Sequence, residues 1–198
     1  MLITFGGYNL SVKQLNPGPL GLAAFAMTTT ALSLINLGIL PKAGLGVVIP
    51  LAFAYGGLAQ ILVGWLEGKA GSTFGFIAFS SYGAFWIYFG LLNVFAALGM
   101  VTVNAATAGI VLLLWGFLTF YLWIASLKGN LTTCLVFLFL TITFIVLGAG
   151  DITGAEIGAR AGGALGLITA ALAWYNSLAV AINDSFGKKV CPLGKPLK

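Results

Sequence analysis

The first of six long apolar segments opens with the sequence Asn16-Pro17-Gly18-Pro19-Leu20-Gly21-Leu22. Asn is a preferred N-cap residue, and Pro is tolerated in the first helical turn because its missing N–H would have no partner there. The stretch therefore predicts a helix that begins at Pro17, at a membrane surface. An ordinary apolar span does not need two prolines and two glycines at its start, so the helix entrance is a candidate functional feature.

Composition places the chain in a membrane. Of its 198 residues, 60% are apolar and only 7% are charged, whereas soluble domains carry about 25% charged residues. Each crossing of the hydrocarbon core takes about 20 helical residues, so six crossings use nearly the whole length. The sequence predicts an all-α, polytopic fold in a single domain, 1–198, with an N-terminal segment at 1–15 and a C-terminal tail at 185–198 that is partly ordered at most. The six predicted helices are 17–39, 44–66, 73–98, 106–127, 131–149 and 157–183.

The distribution of basic residues predicts the orientation of the chain. Cytoplasmic loops of membrane proteins carry an excess of Lys and Arg. One side of the predicted bundle holds only Lys42 and Arg160. The other side, which includes both termini, holds Lys13, Lys69, Lys128, Lys188, Lys189, Lys195 and Lys198. The count predicts that both termini lie in the cytoplasm, and it leaves no concentrated basic patch for nucleic acid. The membrane in which we expect the protein is the plasma membrane.

Polar side chains near the middle of the spans form either interhelical hydrogen bonds or a lined pathway. Polar groups at that depth are costly unless they are satisfied, so they normally face the bundle interior. Large apolar residues alternate with them at helical spacing, as in a hydrophobic constriction that gates a pore. Both interpretations stay open at this point. The polar residues in question include Thr28, Thr29, Tyr55, Gln60, Ser81, Thr141, Thr143 and Thr169.

Several classes of chemistry have no support in the sequence. The chain has no His, and its two cysteines have no metal-ligand spacing, so no metal or other cofactor is expected. No motif of a metalloprotease, a P-loop NTPase or a serine hydrolase occurs, so an enzyme is not expected. All four acids lie near predicted span ends, which argues against a proton relay through the protein. Transport linked to protons would then use a proton carried by the solute.

Several motifs resemble those of the acetate uptake transporter family, also called the acetate/succinate-proton symporter family. The sequence Asn16-Pro17-Gly18-Pro19-Leu20-Gly21-Leu22 is similar to that family's NPAPLGL signature, with Gly18 in place of the usual Ala. Other similar stretches follow in order along nearly the whole chain, including Ala26-Met27-Thr28-Thr29, Ser81-Tyr82-Gly83 and Leu127-Lys128-Gly129.

The resemblance implies a fold, a solute and a set of residues. It implies a protomer of six helices with its own pore, assembled as a homohexamer. The solute would be acetate, or another short monocarboxylate or succinate, moved by a channel-like or proton-linked route. The family's hydrophobic constriction corresponds to Phe25, Tyr82 and Leu140. The remaining candidate residues of the pathway are Asn16, Thr28, Thr29, Tyr55, Gln60, Ser81, Trp86 and Thr143.

Two other functions remain open. A urea or short-chain amide channel would use the same hydroxyl-lined route, and such channels form similar six-helix hexamers. A membrane scaffold without transport activity would need only the small-residue stripes, such as Gly158, Gly162 and Gly166, along which helices approach closely in lipid.

Overall fold

Six helices form the body of the protein. The structure, a computed structural model, describes residues 2–5, 8–11 and 15–197. Its six helices are long and apolar enough to cross a membrane, so the predicted multi-pass helical fold is confirmed. The helices are α1 (Gly18–Asn36), α2 (Lys42–Lys69), α3 (Thr73–Ala97), α4 (Ala105–Ser126), α5 (Leu131–Thr153) and α6 (Glu156–Phe186).

A short hairpin precedes the helices. Strand β1 (Leu2–Phe5) pairs antiparallel with β2 (Tyr8–Ser11), with Leu2 opposite Ser11. No strand was predicted in residues 1–15. Two strands of four residues each are too short for their apolar alternation to stand out against the polar residues around them.

Side-chain caps explain where three of the helices begin. The hydroxyl of Ser72 accepts a hydrogen bond from the Gly75 N–H at 3.1 Å, at the start of α3. Asn104 and Asn130 accept in the same way from residues three positions later, at 2.9 and 2.8 Å. Each cap satisfies one of the N–H groups that a helix start leaves unpaired.

Helix α1 begins one residue later than predicted. Pro17 occupies the N-cap position, and Asn16 lies one residue before it. The Asn16 side chain nevertheless accepts a hydrogen bond from the Gly18 N–H at 3.0 Å, so it still serves the first turn. The hydroxyl of Ser177 donates to the Pro19 carbonyl at 2.6 Å and ties this turn to α6.

Helix α2 contains a wide-turn segment that was not predicted. It starts as a 3₁₀ turn (Lys42–Gly44), continues as an α-helix, and becomes a π-helix over Ala52–Ala59 before returning to α-helix at Gln60. The π segment begins two residues after Pro50, which has no N–H to donate to the preceding turn. Such segments occur frequently at functional sites.

Helix α5 continues through a predicted break. Gly148 and Gly150 suggested that the helix ends near residue 149, but α5 runs to Thr153 and includes Asp151. Both glycines serve close packing. A Cβ added to Gly148 would lie 2.7 Å from the Gly109 carbonyl oxygen, and one added to Gly150 would lie 2.8 Å from the Gly158 Cα.

The six helices pack in the order α4, α5, α6, α1, α2, α3. Contacts between α3 and α4, which would close this ring, are sparse. The small residues of α6 lie inside the protomer. Gly158 contacts Gly150 of α5, and Gly166 contacts Ser33 of α1. These glycines therefore bring helices of one protomer together.

The C-terminal tail is docked, contrary to the expectation of partial order. The side chain of Asn183 accepts hydrogen bonds from the N–H groups of Val190 and Cys191, at 2.6 and 2.8 Å. The hydroxyl of Thr132 donates to the Leu193 carbonyl at 3.0 Å. These bonds fix the tail against the start of α5 and the end of α6. The basic composition of the tail gave no indication of these partners.

Candidate functional site

A cavity of about 210 Å³ enters the bundle from the side that carries the N-cap of α3. On α5 its lining runs from Asn130 to Leu140, a depth of about 15 Å at 1.5 Å per residue. That depth is half of a hydrocarbon core of about 30 Å. The cavity is called cavity 1 below, and its walls come from α1, α2, α3, α5 and α6.

The three predicted constriction residues meet at the inner end of cavity 1. Phe25, Tyr82 and Leu140 all line it and are at most 6% exposed. The rings of Phe25 and Tyr82 are 5.8 Å apart between centroids, and the Tyr82 ring lies 6.1 Å from that of Phe137. Three helices thus contribute apolar side chains to one narrow region.

The hydroxyl of Tyr82 contacts α4. It donates to the Thr119 hydroxyl at 3.0 Å, and Thr119 in turn donates to the Trp115 carbonyl at 2.7 Å. Tyr82 therefore presents its ring to cavity 1 while its hydroxyl connects α3 to α4 across their sparse interface.

Gln60 is the most unusual polar group of cavity 1. It is fully buried and lines the cavity, yet neither its amide nitrogen nor its amide oxygen has a hydrogen-bond partner among the residues that the structure describes. An unpaired buried donor or acceptor costs about 1–3 kcal/mol. A buried amide with both atoms unpaired, beside a cavity, is suited to bind a small polar solute.

A second cavity, of about 280 Å³, enters from the opposite side. Its lining includes Asn36, Asn93 and Asp151, and it reaches Phe85 at its inner end. This cavity is called cavity 2 below. Between the two cavities the Phe85 ring packs edge-on against Phe144, with 5.3 Å between centroids. Phe144 lies one helical turn beyond Leu140, so the aromatic seal continues the predicted constriction.

Thr28 and Trp86 lie outside the lining of both cavities. The Thr28 hydroxyl donates to the Ala24 carbonyl of its own helix at 2.9 Å. Both side chains pack at Gly56 in the π segment, where an added Cβ would lie 2.8 Å from the Thr28 hydroxyl and 2.8 Å from the Trp86 ring. Their position is a tight contact among α1, α2 and α3.

Four other predicted pathway residues are also absent from the cavity linings, while Asn16 lines the mouth of cavity 1. Thr143 donates to the Phe139 carbonyl at 2.7 Å and lies 3.5 Å from the Thr169 hydroxyl. Back-bonding to the preceding turn is a common way to satisfy a hydroxyl within a helix. The other three are Thr29, which is buried with an unpaired hydroxyl, and the half-buried residues Tyr55 and Ser81.

Sequence analysis missed five polar residues of cavity 1. These are Glu67, Ser72, Asn130, Thr133 and Asn176. The Asn176 amide donates to the Thr133 hydroxyl at 2.8 Å, which links α6 to α5 beside the cavity. Asn176 could have been found because it is a polar residue within an apolar span. Asn130 follows Lys128-Gly129, and that stretch indicated only a turn.

The charges of the two cavities are few and negative. Among the residues that the structure describes, Glu67 is the only acid that lines cavity 1 and Asp151 the only acid that lines cavity 2. No Lys or Arg lines either cavity within that described part of the chain. Two opposed cavities separated by an aromatic seal define a membrane protein of the channel or transporter class.

Comparison with known proteins agrees with this class. The GPR1/FUN34/yaaH family matches residues 5–192, so the chain belongs to that family. A succinate-acetate/proton symporter of Escherichia coli (strain K12), SatP, is 39% identical over 186 residues, covering 93% of this chain and 98% of its own length. Acetate permease A of Emericella nidulans is 39% identical over 197 residues, covering 91% of this chain and 66% of its own length.

A solved structure is similar over nearly the whole fold. The structure of the bacterial acetate channel SatP has a TM-score of 0.89 and 39% identity to this chain, and it covers 92% of this chain and 100% of the other. These comparisons confirm the family that the NPAPLGL-like motif indicated.

Proposed function

We propose that this protein transports acetate across the plasma membrane through a pathway within each protomer. The observation that carries the proposal is cavity 1, in which Phe25, Tyr82 and Leu140 close a route lined by the unpaired amide of Gln60. Relatives with 39% identity bear the names of a succinate-acetate/proton symporter and an acetate permease. Succinate and other short monocarboxylates belong to the same chemical class.

Each part of the pathway has a physical role in the proposal. The solute enters cavity 1 near Asn16, binds the amide of Gln60, and loses most of its water at the constriction. It leaves through cavity 2 after passing Phe85 and Phe144. The transport is channel-like or proton-linked, with no chemical step and no cofactor. The chain acts as a single six-helix domain, with both termini in the cytoplasm, in a homohexamer.

Labelled-acetate uptake into proteoliposomes tests the proposal. Uptake is measured with and without an imposed pH gradient, and protein-free vesicles set the baseline because acetic acid also crosses lipid. We expect faster uptake than in those vesicles, and altered uptake in a Tyr82→Ala variant. Uptake at the baseline in folded wild-type protein would contradict acetate transport.

A urea or short-chain amide channel is the second candidate. The observation that favours it is the same amide of Gln60, which can pair with a neutral amide as well as with an acid. Competition separates the two functions. Under the acetate proposal, urea and acetamide leave acetate uptake unchanged, whereas strong inhibition by either one would move the amide channel to first place.

A further inference from the structure

We propose that the docked C-terminal tail completes a binding site for an anionic phospholipid, with Lys128 and Lys195 as the residues that hold its headgroup. Neither lysine lines cavity 1 or cavity 2, so the site serves a lipid rather than the transported solute. Four observations carry the proposal: the path of the tail, the closeness of the two lysines, an exposed apolar stripe on α4, and the charge on this side of the bundle.

The tail returns to the level at which α5 begins. The Pro192 carbonyl accepts a hydrogen bond at 2.7 Å from the hydroxyl of Tyr175, which lies about three turns before the end of α6. The next carbonyl, that of Leu193, accepts from the N–H and the hydroxyl of Thr132, at 3.1 and 3.0 Å. Because the apolar span of α5 begins here, we place residues 192–197 at the membrane surface.

Docking brings Lys195 close to Lys128. The Leu197 N–H donates to the carbonyl of Leu127 at 3.2 Å. Lys195 lies two residues before the donor, and Lys128 directly follows the acceptor. Both lysine side chains are exposed. Two cations that lie far apart in the sequence thus stand beside one backbone hydrogen bond, where both can reach one phosphate group.

The backbone on either side of Lys195 is constrained. Gly194 has a φ of +79°, and a Cβ added there would lie 2.5 Å from the Leu131 Cβ, so only glycine fits this close approach to α5. Pro196 follows, and a residue before proline is restricted to extended backbone. A lysine that is already held in place loses less conformational freedom when it binds a headgroup.

An exposed apolar stripe on α4 leads to Lys128. Phe117, Tyr121 and Ile124 are 67%, 41% and 48% exposed, and their spacing of three and four residues places them on one helix face. The rings of Phe117 and Tyr121 are 6.1 Å apart between centroids. The same spacing reaches Lys128 just beyond the helix end. An acyl chain along this stripe would place its headgroup at the two lysines.

The charge on this side of the bundle selects an anionic lipid. Among the described residues there, five lysines stand against two acids, Glu67 and Asp184. Glu67 lines cavity 1, and Asp184 lies in the last turn of α6. Each Lys near an anionic membrane surface strengthens binding about fivefold. The five lysines are Lys69, Lys128, Lys188, Lys189 and Lys195.

Native mass spectrometry of the purified protein tests the proposal. The protein in detergent is titrated with phosphatidylglycerol or with phosphatidylcholine of the same acyl chains, and the affinity of the first lipid bound per protomer is compared. We expect phosphatidylglycerol to bind about 25-fold more tightly, from about fivefold for each of the two lysines. Equal affinities for the two lipids would overturn the proposal and leave acetate transport untouched.

Variants of the two lysines test the assigned residues. Lys195→Gln should weaken the binding of phosphatidylglycerol about fivefold, and Lys128→Gln/Lys195→Gln should lower it to the affinity for phosphatidylcholine. The matched control is Lys42→Gln, which removes an exposed lysine from the start of α2, on the opposite side of the bundle. It should bind phosphatidylglycerol as the wild type does. An unchanged affinity in the double variant, or an equal loss in Lys195→Gln and Lys42→Gln, would overturn the role of the lysines.

The variant Asn183→Ala tests whether docking of the tail assembles the site. The Asn183 side chain accepts from the N–H groups of Val190 and Cys191 and donates to the Cys191 carbonyl at 2.8 Å. The variant removes these bonds and keeps every charge. We expect faster amide hydrogen exchange in residues 190–197 and a loss of phosphatidylglycerol affinity similar to that of Lys195→Gln. Wild-type affinity in this variant would show that net charge alone attracts the lipid.

Discussion

At the scale of single residues, Gln60 and Asn176 present the same functional group in opposite states. Both are amides buried beside cavity 1. The amide of Asn176 has a partner in Thr133, whereas that of Gln60 has none in the described part of the chain. The difference separates a polar group that stabilises the fold from one that is kept for a solute.

Replacing Gln60 by Leu should therefore separate stability from transport. Because two unpaired polar atoms are removed, we expect the free energy of unfolding to stay unchanged or to rise by about 1–3 kcal/mol. Acetate uptake should fall to the rate of protein-free vesicles. Asn176→Leu is the matched control, and it should lower stability because it leaves the Thr133 hydroxyl without its donor. Thermal unfolding in detergent and proteoliposome uptake measure the two effects. Normal acetate uptake by Gln60→Leu would remove Gln60 from the site.

Leu140 sets the width of the constriction in this proposal. It is 4% exposed and lines the inner end of cavity 1. Leu140→Ala should raise the ratio of lactate to acetate uptake by roughly tenfold, the lower end of what one methylene group contributes to discrimination in an apolar site. Leu138→Ala, on the same helix but outside the cavity, serves as control. An unchanged ratio in folded Leu140→Ala would place the constriction elsewhere.

At the scale of elements, the π segment of α2 is a place where three helices pack tightly. Its Gly56 has space for no side chain, because an added Cβ would lie 2.8 Å from both Thr28 and Trp86. Thr28, Trp86 and Gly56 thus form a packed contact between the two cavities. The segment ends at Ala59, so its extra backbone also sets the position of Gln60.

Gly56→Ala is expected to disturb this contact. Overpacking a tight site costs about 1–3 kcal/mol, and the shift of Trp86 or Thr28 should also reduce acetate uptake. Gly46→Ala is a control on the same helix, since a Cβ there meets nothing within 4 Å. Thermal unfolding of both variants measures the difference. Equal stability of the two would show that the π segment relaxes freely around the added methyl group.

The elements also show what a single sequence can and cannot reveal. Lipid forces every spanning segment to satisfy its own backbone, so apolar length alone located six helices. The sequence around Pro50 did not reveal the π segment. A proline within a helix indicates that the turn is disturbed, but it does not indicate that the turn becomes π-helical. The docked tail depends on Asn183, whose partners Val190 and Cys191 lie across a turn. Pairing of this kind has no periodic signature.

At the scale of the whole molecule, the fold brings only some of the predicted site residues together. Motif resemblance selected Phe25, Tyr82 and Leu140, and these meet in cavity 1. Residue type alone did not separate Gln60 from Thr143. Gln60 has no hydrogen-bond partner within the described ranges, whereas the Thr143 hydroxyl donates to a carbonyl of its own helix. That distinction depends on which neighbours the folded bundle supplies.

The orientation of the bundle decides which cavity faces the cell interior. Lys69 ends α2 and Lys128 follows α4 on the side of cavity 1, where the docked basic tail also lies. Lys42 begins α2, and Arg160 lies near the start of α6, on the side of cavity 2. Because basic loops stay in the cytoplasm, cavity 1, which Glu67 lines, should open toward the cell interior.

Reporter fusions test that orientation. A fluorescent protein that folds only in the cytoplasm should be bright at the C-terminus, and alkaline phosphatase, which is active only outside, should be inactive there. The control fusion ends at Gly154, in the turn between α5 and α6, and should give the reverse result. Phosphatase activity at the C-terminus would invert the bundle. Cavity 2, with Asp151, would then become the inner vestibule.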